Sequence, residues 1–365
     1  MDGRERFLTA LSNKKPDRLP FQVHGWMRYY LDSYLNGMDQ YEAYEYFGMD
    51  PVIYVSPVYI FDDKDMNNWR VEFFDGGADA EGVKRQYKRI TTPKGILESR
   101  YAENEFTLWE TEHLVKNERD MELFLEYYPV PVKTDWTPVK EAKKRVGGRG
   151  IVRGDLYNHR QGGGWQSVVE LMGTQDAIFK AMDEPGYIHR VIEIITQKRL
   201  AAIDAMGKIE FDLIENGGGA GSSTVISPAM HREFCLPYEK RVHAALKAAG
   251  TKVVYHLCGG VMPVLEAVAE NGADALETMT PPSMGGDCDM AQAAKRVGDK
   301  LCFTGGFDQN AGFENGTERN IEEQVFALFK SKPGGGFICS PSDHFFFGDP
   351  KNIKHFTEIC KSCRY

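Results

Sequence analysis

Along the second half of the chain, apolar and polar positions fall into a repeating block. A run of four to six apolar residues is stopped by glycine or a polar residue, and an amphipathic helix follows. Eight strand segments are predicted in this way, at 19–24, 51–56, 150–155, 211–216, 252–257, 274–278, 301–304 and 337–340. Between them, Asp183-Glu184-Pro185 opens a long helix that ends at Met206-Gly207. Ser227-Pro228 opens another that reaches Gly250, with a break expected at Pro237. Asp289 and Asp349-Pro350 open two more, and the amino-terminal part predicts a helix at 4–14 and a helical segment over 28–47. Short apolar strands that alternate strictly with helices belong to a parallel sheet buried on both faces. Eight such units predict an α/β fold, a (β/α)₈ TIM barrel formed as a single domain over 1–365. The pattern is interrupted at about 60–135, where strand-like pieces alternate with charged loops, which predicts an inserted β-hairpin excursion in the amino-terminal half.

Barrel active sites lie at the carboxyl ends of the strands, and polar residues collect there: His24, Asp155, Glu215, His256 with Cys258, Glu277, Asp308, and Cys339 through His344. The stretch Lys252–Gly260 is the most informative. His256 and Cys258 are two apart at a strand end, so imidazole and thiol project to one side, and these are ordinary Zn²⁺ ligands. The plainer reading is a buried cysteine packed as a small apolar group beside a satisfied histidine. Dispersed ligands suit a catalytic metal better than a closed structural one. Cys339, in the last strand, is a candidate third ligand, with Asp343, His344 or Glu277 as alternatives. Trp26, Trp109, Trp165, Phe307 and the Phe345–Phe347 run could line an aromatic or apolar pocket, or simply pack.

Composition narrows the function classes. A net charge of −9 argues against a nucleic-acid surface and against docking on an anionic membrane. No apolar stretch approaches the roughly 18 residues a spanning helix needs. Seven cysteines, odd in number and thinly spread, fit free thiols in a reducing compartment, so the cytoplasm is expected.

Four stretches carry a family resemblance: Arg4–Pro20 (RERFLTALSNKKPDRLP), Ser227–Tyr238 (SPAMHREFCLPY), Tyr255–Gly260 (YHLCGG) and Gly298–Asp308 (GDKLCFTGGFD). With them the chain resembles the uroporphyrinogen decarboxylase superfamily, whose fold is a (β/α)₈ barrel. The decarboxylases themselves carry an arginine-rich motif after the first strand and an aspartate after the second. Here those stretches read Gln22-Val23-His24-Gly25-Trp26-Met27-Arg28-Tyr29-Tyr30 and Tyr54-Val55-Ser56-Pro57, with one arginine and no aspartate. The His-x-Cys-Gly at 256–259 is more similar to the zinc-dependent, corrinoid-linked methyltransferases. In those, a His-x-Cys pair and a distant cysteine bind zinc. The distant cysteine of the coenzyme M members falls nearer Asp343 than Cys339 here. The aromatic end Asp343–Phe347 and the stretch Trp109–Lys116 look more like the O-demethylases.

The resemblance implies a methyltransferase that moves a methyl group from a small methoxylated, often aromatic, substrate to the Co(I) corrinoid (cobalamin) of a partner protein. Zn²⁺ would sit on His256, Cys258 and Cys339 or its alternatives. Glu215, Glu277, Asp155 or His24 would orient substrate or donate a proton, and Trp26, Trp165, Phe307, Asp343 and His344 would contact it. Family members are often homodimers. Three alternatives stay open: transfer to a thiol of the coenzyme M type, a metal-free decarboxylase, and a non-catalytic corrinoid-binding barrel.

Overall fold

The computed structural model describes residues 1–158 and 160–365. Its strands, in chain order, are β1 (Val52–Tyr54), β2 (Val58–Ile60), β3 (Arg70–Ala78), β4 (Lys84–Thr92), β5 (Gly95–Glu103), β6 (Leu108–Glu112), β7 (Lys133–Asp135), β8 (Ile151–Asp155), β9 (Leu213–Gly217), β10 (Lys252–His256), β11 (Ala275–Thr278), β12 (Cys302–Phe307) and β13 (Phe337–Pro341). Seven of them form one all-parallel sheet, ordered β1-β8-β9-β10-β11-β12-β13. These are seven of the eight predicted strands.

The eighth, expected at 19–24, is reduced to a single parallel bridge between Phe21 and Cys339. Two backbone bonds hold it to β13: Gln22 N–H donates to the Cys339 carbonyl at 3.0 Å, and Cys339 N–H to the Pro20 carbonyl at 2.9 Å. On its other side the Tyr54 hydroxyl, from β1, donates to the His24 carbonyl at 3.0 Å. Residues 20–24 therefore occupy the first-strand position and curl the sheet into a (β/α)₈-type barrel. Pro20 cannot donate to a ladder, which helps explain why so little regular strand forms there.

Helices cover the outer face. The closing helix Pro350–Ser362 sets Phe356 edge-on to Phe21, with ring centroids 5.9 Å apart, and 4.7 Å from Phe307. Asp349 caps it by accepting from Lys351 N–H. The Asp289 and Ser227 caps form as expected, and the long helix runs Pro185–Met206. Pro237 does not break its helix. A π-turn at His231–Cys235 lies just before it and absorbs the missing backbone donor, and helix resumes at Leu236. The segment 28–47 is two helices, Arg28–Tyr34 and Gln40–Phe47. Asn36 and Gly37, both at positive φ, make the turn between them.

The excursion folds as a four-stranded antiparallel sheet, β3-β4-β5-β6, with β2 and β7 paired antiparallel at its base. One face buries Ile90 and Leu97 in a second apolar cluster with helices Glu118–Tyr127, Gly164–Met172 and Pro185–Met206. Its β5–β6 turn carries Phe106 to Tyr29 (4.7 Å) and to Phe346 and Phe347 (5.5 Å each), tying the sheet to two loops at the barrel mouth. Among the described residues, no helix is long and apolar enough to cross a membrane.

Phe21 is fully buried at the closure seam. Phe21→Ala is expected to cost about 3–5 kcal/mol in urea unfolding, as deletion of a buried aromatic ring does.

Candidate active site at the barrel mouth

The carboxyl ends of the strands open into a cavity of about 850 Å³. Lining it are His24, Trp26, Tyr54, Asp155, Glu215, His256, Cys258, Asp343 and His344, with Arg28, Arg160 and Gln161 among others. Seven of the polar residues expected from strand ends are thus brought together from five segments of the chain.

Beneath them lies Arg153, fully buried on β8. Its guanidinium donates to both Glu277 oxygens, at 2.8 and 3.1 Å, and makes a short contact to Glu215. It also lies 4.6 Å from the centre of the Tyr54 ring. Register explains the convergence. Asp155 pairs with Glu215, and His256 with Glu277, so neighbouring strands present these groups to the same interior. Gly217 ends β9 at positive φ. A Cβ there would stand 2.3 Å from the His256 carbonyl oxygen, so only glycine fits.

His256 Nδ1 lies 3.3 Å from Glu277 and 3.5 Å from Glu215. Burial opposes its charged form, but Cys258, Glu277 and Glu215 outweigh that and raise its pKa well above the ordinary histidine value. For Glu277, burial favours the neutral acid, yet Arg153 holds its pKa well below the usual range. Asp155 moves the other way. Burial, reinforced by Glu215, pushes it up to about 6. His24 is pushed down to about 3 by burial, so its imidazole is neutral and keeps a lone pair. Its ring centroid is 5.1 Å from that of His256 and 4.7 Å from that of His344. Donor atoms of His24, His256 and Glu277 lie within 4.8 Å of one another, and so do those of His24, Asp343 and His344.

Four expected residues are elsewhere. Cys339 shares its register position with Phe21, which packs outward on Phe356. Its thiol lies against Cys360, behind the sheet, so it is not beside His256 and Cys258. Phe307 faces outward in the same layer, against Phe313 and Phe356. Trp165 is buried on its helix, donating to the Ala220 carbonyl at 3.0 Å and stacked on Phe234. Asp308 caps Ala311 N–H. Glu277 is in the site but 1% exposed, held under His256 instead of open to the cavity. Trp26 lines the cavity while its ring stacks on Phe47 at 5.4 Å.

Arg153, Tyr54 and Arg160 were not anticipated as site residues. Arg153 was legible, because it lies two positions before Asp155 on one strand and must share its face. Arg160 was not, since it sits in a loop. It reaches Glu110 of β6 at 2.9 Å.

The uroporphyrinogen decarboxylase (URO-D) family model matches residues 160–363. The chain belongs to the uroporphyrinogen decarboxylase family. The uroporphyrinogen decarboxylase of Chlorobaculum parvum is 31% identical over 148 residues, 38% of this chain and 39% of that protein. The chloroplastic enzyme of Zea mays is 26% identical over 192 residues, 51% of this chain and 45% of that protein. The matches thus span between two fifths and half of these relatives. A methyltransferase from Methanosarcina mazei shares the fold at a TM-score of 0.66 and 13% identity, over 98% of both chains.

The helix behind the Arg160–Gly162 loop supplies a pH-dependent element. Glu170 accepts from Gln161 N–H and Gln166 Nε2, both at 3.2 Å, while its second oxygen is buried without a partner. Burial pushes its pKa up from 4.5 to about 7. A carboxyl raised on folding favours the protonated form, so its contribution is full below about 4.5 and is lost as pH rises through about 7. Glu170→Gln, read by thermal unfolding, is therefore expected to stabilise the protein at pH 8–9 by on the order of 2–3 kcal/mol and to leave it unchanged near pH 4.5.

Proposed function

We propose that this chain is a zinc-dependent methyltransferase of a corrinoid system. It would take a methyl group from a methoxylated aromatic compound and pass it to Co(I) on a partner protein. The observation that carries this reading is the His256–Cys258 pair at the edge of a large cavity, with neutral, buried His24 beside it. Imidazole nitrogens and one thiolate, backed by carboxylates that orient His256 through Nδ1, form the kind of donor set that holds a catalytic zinc. The similar fold of the Methanosarcina mazei methyltransferase supports it.

Decarboxylation fits less well. Arg153, the guanidinium at the floor, is committed to Glu215 and Glu277 and is not open to a substrate carboxylate.

Zinc held by His256 and Cys258 would supply Lewis acidity at the ether oxygen. The protein's own groups do the rest. Trp26, Leu31 and Tyr41 offer an apolar wall for an aromatic ring. As the C–O bond breaks and the methyl carbon passes to Co(I), the oxygen takes a proton. Asp155, with its pKa raised to about 6, is suited to give it near neutral pH. Glu215 and Glu277 keep Arg153 and His256 in place. The open mouth leaves room for a corrinoid to approach.

The test is formation of methyl-Co(III) from free cob(I)alamin and a panel of methoxybenzoates, followed by visible absorption. The parent protein is expected to turn over. Asp155→Asn is expected to lower kcat by about 10²–10⁴-fold with KM little changed, and His256→Ala to abolish transfer. Transfer only to a thiol would favour the coenzyme M type of reaction. Carbon dioxide release without methyl transfer would overturn the proposal.

A further inference from the structure

Among the described residues, one thiol lines the cavity, that of Cys258. The other six cysteines are all buried, and Cys339 lies behind the sheet against Cys360. A site built on His256 and Cys258 therefore has no second cysteine to complete it. The opposite wall of the mouth provides other donors. We propose that the metal site is completed by His24, His344 and Asp343, from the first and last strand positions, in place of a distant cysteine. This deepens the reading above and rests on it.

Four observations carry the assignment. His24 belongs to both groups of mutually close donors, one with His256 and Glu277, the other with Asp343 and His344, so it bridges the two sides of the mouth. Its side chain is buried, yet neither ring nitrogen makes a hydrogen bond among the described residues. Its only such contact is through the backbone carbonyl, which accepts from Tyr54. Because His24 lines the cavity, its unpartnered ring nitrogens are available there to a ligand or an ion.

The carboxylate of Glu277 is engaged by Arg153 through both oxygens, which makes it a support for His256 and not a competing ligand. Finally, the mouth loop is shaped around His344. A Cβ at Gly25, which has positive φ, would stand 3.1 Å from His344 Cε1, so glycine there lets the ring lie close to the backbone.

The donor set that results is imidazole nitrogen from three strand ends, one thiolate, and one carboxylate in reserve. With a single sulfur it is harder than a His/Cys/Cys set and suits a borderline divalent cation such as Zn²⁺ or Co²⁺. His344 is exposed and Asp343 half-buried, so that side of the site can move to admit substrate while His24 and His256 stay fixed.

The experiment is Co²⁺ titration of the full-length, chelator-stripped protein, read by visible absorption, with affinity measured by competition against Zn²⁺. Parent protein is expected to bind about one Co²⁺ with a charge-transfer band of one thiolate. His24→Gln and His344→Ala are each expected to weaken affinity at least tenfold and to alter the ligand-field bands while the thiolate band persists. Cys339→Ser is expected to change neither. Circular dichroism checks that each variant is folded, and exposed His344 tests the claim even if His24→Gln is not. Unchanged affinity and spectra in both histidine variants, with binding still lost in His256→Ala and Cys258→Ala, would overturn this ligand assignment and leave the metal-dependent reading intact. Loss of a thiolate band in Cys339→Ser would also overturn it. No binding by the parent would remove both.

Discussion

A guanidinium buried on the barrel floor is the constraint on which the mouth depends. Arg153 has no solvent exposure, and a charge in that position is tolerated only when paired and hydrogen-bonded. Glu277 meets it through both oxygens, Glu215 through one, and the Tyr54 ring covers its face. Its Nε is left without a partner. Removing either acid would strand charge in the interior, so the three groups are fixed together. The consequence reaches upward. The same two carboxylates face Nδ1 of His256 and orient its ring. Asp155, without a guanidinium of its own, is pushed toward the neutral acid. One interior cation thus fixes Glu215 and Glu277 and, through them, the orientation of one histidine.

Much of this was legible in the sequence because barrel strands are short, apolar and stopped by glycine. Seven predicted strands appear at their positions within a few residues, and the polar residues that follow them meet in one cavity. What was not legible has specific causes. Residues 19–24 read as a strand by composition, yet only Phe21 pairs, because strand propensity does not count the donor lost at Pro20. Cys339 and Phe307 sit on the last strands of the sheet, and the side they face is decided by register. With Cys339 level with Phe21, both point to the helix layer. Trp165 could be placed only after the helices were packed. His24 and His344 were visible as strand-end histidines, but their approach across the barrel depends on closure between the first and last strands.

The family match and the cavity divide the chain differently. Residues 160–363 contain Glu215, His256, Cys258, Glu277, Asp343 and His344. The wall that faces them, with His24, Trp26, Tyr54 and Asp155, lies before the matched region, as does Arg153 beneath it. So does the inserted sheet, whose Phe106 and Glu110 tie it to the mouth loops. The cavity is therefore shared between the matched region and the part of the chain that precedes it.

The most direct measurement is a crystal structure of the purified protein with anomalous diffraction recorded on both sides of the zinc absorption edge. A single strong peak at about 2.0–2.1 Å from a His256 nitrogen and about 2.3 Å from Cys258 Sγ is the expected result. A mouth free of anomalous signal in protein crystallised with zinc present would contradict the account.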